Sequence, residues 1–215
     1  MTDVQRVLPL FPLGQVVLFP GMPLPLRIFE ERYKVMIGAC QVTDQLFGVL
    51  LIRSGLEVGA PAEPERVGCT ARMHRVDRLP DGQMNILTFG ERRFRLLGAA
   101  RAMPEGYLVG DVRIVDEPPV PTVASDLLAS VVEEFEKYQA ATLARSPWAD
   151  KAPPALPRDP SALSYHIGAT LQVHPRELQQ LLEMDDVAVR LQQELTLLKR
   201  ENGVAAKTIG PFSMN

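Results

Sequence analysis

The side chains able to do chemistry are few in this chain of 215 residues, and their spacing rules out most catalytic plans. Three histidines are present, His74, His166 and His174. No HExxH pattern sets two imidazoles on one helix face for zinc, so they are read as partly exposed or satisfied by backbone. The two cysteines, Cys40 and Cys69, form no CxxC pair and read as small core residues. A serine–lysine hydrolase needs a lysine whose pKa an apolar setting depresses. The five lysines (Lys34, Lys137, Lys151, Lys199 and Lys207) fall on helix faces, in a linker or in the tail. The carboxylate pairs Glu30-Glu31, Glu133-Glu134 and Asp185-Asp186 are adjacent in sequence, and adjacent helical residues point apart. GxxxxGK[ST], GxGxxG after a strand and GxSxG are all missing. No catalytic residue, metal or cofactor is expected.

One charged stretch stands out. Between Arg66 and Arg101 lie eight arginines (Arg66, Arg72, Arg75, Arg78, Arg92, Arg93, Arg95 and Arg101) against three acids, Asp77, Asp81 and Glu91. Residues 111–215 reverse the balance, with fifteen acids and ten basic residues. A basic face built from Arg72, Arg92, Arg93 and Arg95 would suit nucleic acid or an acidic partner. A solvated outer strand face is the plainer account. Few aromatics interleave with these arginines, which disfavours single-strand binding.

The elements that must position these groups follow from periodicity. Apolar residues make up 46% and charged residues 23%, a globular composition with room for a core. No apolar run reaches bilayer length, and the N-terminus lacks the pattern of a signal peptide, so a reduced cytoplasmic protein with no membrane partner is expected. Of the 19 prolines, thirteen cluster at 9–25, 118–121 and 147–160 and punctuate the chain. From Arg6 to about Val115 the pattern is mostly strand. Leu24–Arg27, Leu46–Ile52, Gly68–Leu79, Gln83–Phe89, Arg93–Leu96 and Leu108–Val115 read as separate strands, with a hairpin across Pro80-Asp81-Gly82. Phe29, Tyr33 and Ile37 mark the buried face of a helix over Glu30–Gln41. From Thr122 the period becomes helical. Val123, Leu127, Val131, Phe135 and Tyr138 share one face of a helix to about Ala144. Asp159 with Pro160 opens a helix carrying Leu163, Ile167 and Leu171, and His174-Pro175 opens one through Leu182. Asp185 or Asp186 caps a last helix with Val187, Leu191, Leu195 and Leu198 inward, which Asn202-Gly203 should stop. The expected fold is α+β: a β-rich unit over 1–117 with one helix, a bundle of about four helices over 122–203, and a mobile tail over 204–215.

Several segments carry a family likeness in the right order. Leu8 to Met22 (LPLFPLGQVVLFPGM) is similar to the opening motif of the N-terminal domain of the ATP-dependent protease Lon. Pro25 to Glu30, the turn Leu79-Pro80-Asp81-Gly82, the strand Gly90-Glu91-Arg92-Arg93-Phe94 and the helix entry Leu181 to Leu191 resemble later features of that domain. The resemblance runs from about Val7 to Arg200. It implies a PUA-like pseudo-barrel for the β-half and a stand-alone substrate-recognition domain, without the family's ATPase and Ser-Lys protease modules. The function expected is non-catalytic binding of unfolded or damaged polypeptide, or of a specific partner protein. Leu13, Phe19, Pro20 and Met22, in a proline-broken segment, are the candidate contacts. The alternatives are an RNA- or DNA-binding module using the arginine-rich face, and a small hydrolase with an unrecognised site. An apolar groove between the β-unit and the helices would favour peptide.

Overall fold

The structure is a computed structural model that describes residues 5–55, 63–117, 123–144 and 155–208. The chain divides into two compact units. The first comprises Met1–Glu117 and Gln172–Glu183, and the second Pro118–Leu171 and Met184–Asn215.

The first unit contains β1 (Gln5–Leu13), β2 (Pro23–Ile28), α1 (Glu31–Gln41), β3 (Leu46–Ser54), β4 (Glu63–Pro64), β5 (Val67–Arg78), β6 (Met84–Leu96), β7 (Arg101–Ala102) and β8 (Leu108–Ile114). Strand order is β2-β6-β5-β3-β1-β8-β7, and β6 also pairs with β8. That extra pairing closes β1, β3, β5, β6 and β8 into a mixed barrel, which removes their free edges. β1 and β3 run parallel, and the other ladders are antiparallel. Both faces of β1 and β3 are buried. Leu8, Leu10, Leu46 and Leu50 pack with Phe94, Leu96, Val112 and Ile114 in one core cluster. Phe11, Leu13, Phe47 and Val49 pack with Tyr33, Met36, Ile37 and Cys40 of α1 in another. Burial on both faces explains why Leu46–Ile52 reads as an unbroken apolar run.

The strands differ from expectation in two respects: β1, β4 and β7 are not among the separate strands expected, and two expected strands are one. Gln83–Phe89 and Arg93–Leu96 are a single strand, β6, 13 residues long. Its first half pairs with β2 and its second with β8. β5 and β6 meet at the expected hairpin, where Leu79 N donates to Gln83 O at 2.8 Å and Gly82 N to Leu79 O at 3.0 Å.

The first proline cluster is now explained. Pro23 and Pro25 lie in β2, an edge strand, where a residue without an N–H breaks no inner ladder. Pro9 and Pro12 lie in β1, which pairs with β8 over Gln5–Leu10 and with β3 over Leu10–Leu13. Each half of β1 is laddered on one side only, so the strand tolerates both rings.

Three expectations about helices need correction. α1 begins at Glu31, and Phe29 stands outside it, 54% exposed; Tyr33, Met36, Ile37 and Cys40 form the buried face. α4 (Pro175–Glu183) belongs to the first unit, not to a four-helix bundle. The second unit holds α2 (Ser125–Leu143), α3 (Pro160–Thr170) and α5 (Val187–Thr208), with α5 packed on both others. Val131, Phe135, Tyr138, Leu163, Ile167, Leu191, Leu195 and Leu198 are buried as their spacing predicts. Asp159 Oδ1 accepts from Ala162 N at 2.8 Å, with Pro160 opening α3. Asp186 Oδ1 accepts from Ala188 N and Val189 N, so it is Asp186 that caps α5. The expected stop at Asn202-Gly203 is absent, because α5 continues to Thr208. Asn202 Nδ2 instead donates to Glu134 O at 3.0 Å and Glu134 Oε2 at 2.8 Å on α2. Residues 209–215 of the expected tail lie outside the described residues.

Candidate polypeptide-binding site

The segment after β1 is built around a tight turn against β6. Met22 N donates to Phe19 O at 3.0 Å across Pro20 and Gly21, and Gly21 has φ +79°. Proline then glycine at these positions is a type II turn, whose third residue requires positive φ. Gly21 N donates to Gly90 O and Gly90 N to Met22 O, which clamps the turn onto the middle of β6. A Cβ at Gly90 would stand 2.1 Å from Phe19 O, so only glycine admits this approach. The clamp lies where β6 changes partner from β2 to β8. Of the four candidate contacts, Leu13 and Phe19 are core residues, 5% and 0% exposed. Pro20 is half-buried, and Met22 packs partly buried against the core. The structure brings the four together around a turn and gives no open apolar surface through Leu13 or Phe19.

The arginines are dispersed and paired. Arg72 binds Glu91 and donates to Asp44 O at 2.8 Å. Arg92 binds Asp116, and Arg101 binds Asp111. Arg75 binds Asp77 at 2.8 Å. Arg93 is fully buried; its Nε donates to Glu117 Oε1 at 2.8 Å and its Nη1 to Leu182 O of α4 at 3.0 Å. Arg95, two residues along the same strand, is half-buried and pairs in register with Arg113 of β8. Arg93 therefore cannot belong to a solvent-facing patch with the other three.

The other reactive side chains lie apart. Cys40 and Cys69 are buried free thiols; burial and then Asp44 push Cys40 up to about 12, and burial pushes Cys69 up as well. His174 Nδ1 accepts from Arg176 N at 3.2 Å at the start of α4. His166 stands edge-on to Phe135, and burial lowers its pKa. His74 packs on Phe89. No group of three metal-ligating side chains exists among the described residues.

Motif reading missed one concavity. A cleft of about 620 Å³ opens in the first unit where β1 and β3 end beside α4. Gly14 and Gln15 follow β1, Leu51, Ile52 and Arg53 close β3, and Glu65 leads into β5. His174, Arg176, Gln179, Gln180 and Glu183 come from α4 and the residue before it. The lining is polar. Gln179 is buried; its Nε2 donates to Val67 O at 3.0 Å and to Glu183 Oε1 at 2.7 Å. Its Oε1 is buried with no donor. Burial, and then repulsion from Glu183, raise the Glu65 carboxyl above its ordinary value. The available signal was Gln179 itself, a polar residue on a helix face otherwise buried through Leu181 and Leu182.

The barrel with α4 and the helical unit make a two-unit α+β protein, with a polar cleft in the first unit. The chain belongs to the family of ATP-dependent protease La (LON) substrate-binding domains, which it matches over residues 7–200. It is 31% identical over 97% of its length to a Lon protease of Roseiflexus castenholzii. It is likewise 31% identical over 94% of its length to Lon protease 1 of Thermus thermophilus. It spans about a quarter of each of these relatives, 25% and 26%, and matches their substrate-binding domain and not the ATPase or protease domains. A Lon N-terminal domain protein from Xanthomonas campestris superimposes with TM-score 0.67 at 27% identity, covering 89% of this chain and 98% of that one. The N-terminal domain of a Mycobacterium avium complex Lon protease shares the fold, with TM-score 0.64 over 90% of this chain and 98% of its own.

Proposed function

We propose that this protein is a non-catalytic recognition module that binds polypeptide. The observation that carries the reading is membership of the LON substrate-binding family over residues 7–200. The polar cleft beside α4 supports it with a site of the size ligand pockets have. Ion pairing of Arg72, Arg75, Arg92 and Arg101, and burial of Arg93, favour polypeptide over nucleic acid, since a phosphate backbone needs free cations. Titration of the full chain into fluorescein-labelled, permanently unfolded casein tests the reading by anisotropy. Saturable binding in the micromolar range is expected. A flat response to high micromolar protein, at low and physiological salt, would overturn it.

A further inference from the structure

We propose that a smaller pocket of the first unit receives the carboxyl end of a polypeptide, with Arg66 on the terminal carboxylate and an apolar floor under the last side chain. This rests on the polypeptide-binding reading and adds which part of a chain is recognised. The pocket holds about 390 Å³ and shares only Arg53 with the lining of the cleft. Its walls come from β4, the end of β6, the loop after it, β7 and β8. The floor is the outer side of a core cluster. Leu96 is buried in that cluster, and Ala100 and Leu108 pack partly buried against it. The barrel therefore holds this apolar surface in place, and Ala99 and Ala102 beside it leave room for a side chain. A pocket at the small end of the ligand range suits the end of a chain better than a segment passing through.

The second observation is charge. Arg53, Arg66 and Glu63 are the charged residues of the lining, so two cations face one anion. Glu63 is already served on both oxygens. Oε1 binds Arg53, and Oε2 accepts from Ser54 Oγ at 3.0 Å. Ser54 and then Arg53 hold its carboxyl below the ordinary range, and Arg66 acts on it only weakly. Arg66 is exposed and takes part in no ion pair among the described residues. It donates to Gly98 O at 3.4 Å, at the long limit of a hydrogen bond. The amides of Gly98, Ala99 and Ala100 donate to no other described backbone group. The pocket thus joins a surplus guanidinium and spare backbone donors to an apolar floor. A guanidinium matches a carboxylate with two parallel hydrogen bonds. The end of a chain carries that carboxylate one bond from its last side chain, so both fit together.

The test uses the full chain and fluorescein-labelled peptides of glycine and serine that end in alanine-leucine, read by anisotropy. The peptide with a free carboxyl end should bind at least about tenfold more tightly than its C-terminal amide. Arginine in place of the last leucine should cost about tenfold, since it brings a cation to the surplus guanidinium and loses the floor. Arg66→Gln should lower the free-acid peptide to the level of the amide and leave the amide unchanged. Arg66→Lys should restore part of the difference. Circular dichroism should show both variants folded as wild type, because Arg66 is exposed. Equal affinity for acid and amide, an unchanged difference in Arg66→Gln, or equal binding of an amidated peptide with an internal glutamate overturns the site. If unfolded casein still binds, each of those results leaves the polypeptide reading standing. Failure of casein and of every peptide overturns both.

Discussion

Replacing Arg93 probes how the first unit holds α4. Its guanidinium is 0% exposed and its partner Glu117 is 31% exposed. It also donates to Leu182 O, among the last carbonyls of α4, which have no intrahelical donor. Arg93→Ala strands that carbonyl, at about 1–3 kcal/mol. It also deletes a long buried stem and leaves a cavity. The Glu117 pair adds little, because that carboxylate can hydrate when the arginine goes. The sum is a loss of about 3–5 kcal/mol, the range found when one member of a buried pair is removed. Arg93→Met refills the space and removes the cost of burying a charge, so only about 1–2 kcal/mol should be lost. Urea unfolding followed by circular dichroism measures both; at this chain length each kcal/mol shifts Tm by about 2–4 °C. Exchange of the α4 amides should quicken more in the alanine variant than in the methionine variant. An Arg93→Ala protein within about 0.5 kcal/mol of wild type, with α4 exchange unchanged, would refute the assignment.

Three further outcomes are expected. Gly90→Ala forces a methyl against the Phe19 carbonyl, and because neither backbone can yield cheaply it should cost about 1–3 kcal/mol in the same urea assay. Asp159→Ala removes the α3 cap and should cost about 1 kcal/mol, whereas Asp159→Asn should cost far less. Glu194 is buried, accepts from Ser164 Oγ at 2.8 Å and has its carboxyl held well above the ordinary range by burial. The folded state then holds a proton that the unfolded state releases, so this group's contribution falls as pH rises from the ordinary carboxylate range towards the raised value. Wild type should therefore gain stability relative to Glu194→Gln as pH is lowered from neutral to about 4.5; a difference independent of pH would refute the burial account.

Local periodicity found nearly every element, because burial of one face is written in spacing. What it missed depends on partners distant in the chain. Periodicity reads β6 as two strands, but Gly90 between them lies within the strand and is needed where the Phe19–Met22 turn crosses it. The helix stop at Asn202-Gly203 was overridden by hydrogen bonds to Glu134, 68 residues away. The arginine excess was counted against acids within residues 66–101. The strands and their neighbours deliver Asp111, Asp116 and Glu117 from outside that window. Leu13 and Phe19 looked like recognition residues because prolines surround them; the turn that the prolines enforce is what sends both side chains into the core. The spacing of α4 announced a buried face but not what covers it, and so concealed the cleft. The cleft draws its walls from four separated stretches of chain, which no local motif can show.

The ladder of β1 has a consequence for synthesis. Arg6 pairs with Val112, so the barrel cannot close until more than a hundred residues after Arg6 have been made. α4, part of the same unit, is made later still, after α2 and α3. Contacts of such sequence separation slow folding. During synthesis β1 can pair with β3 while the barrel still waits for β8.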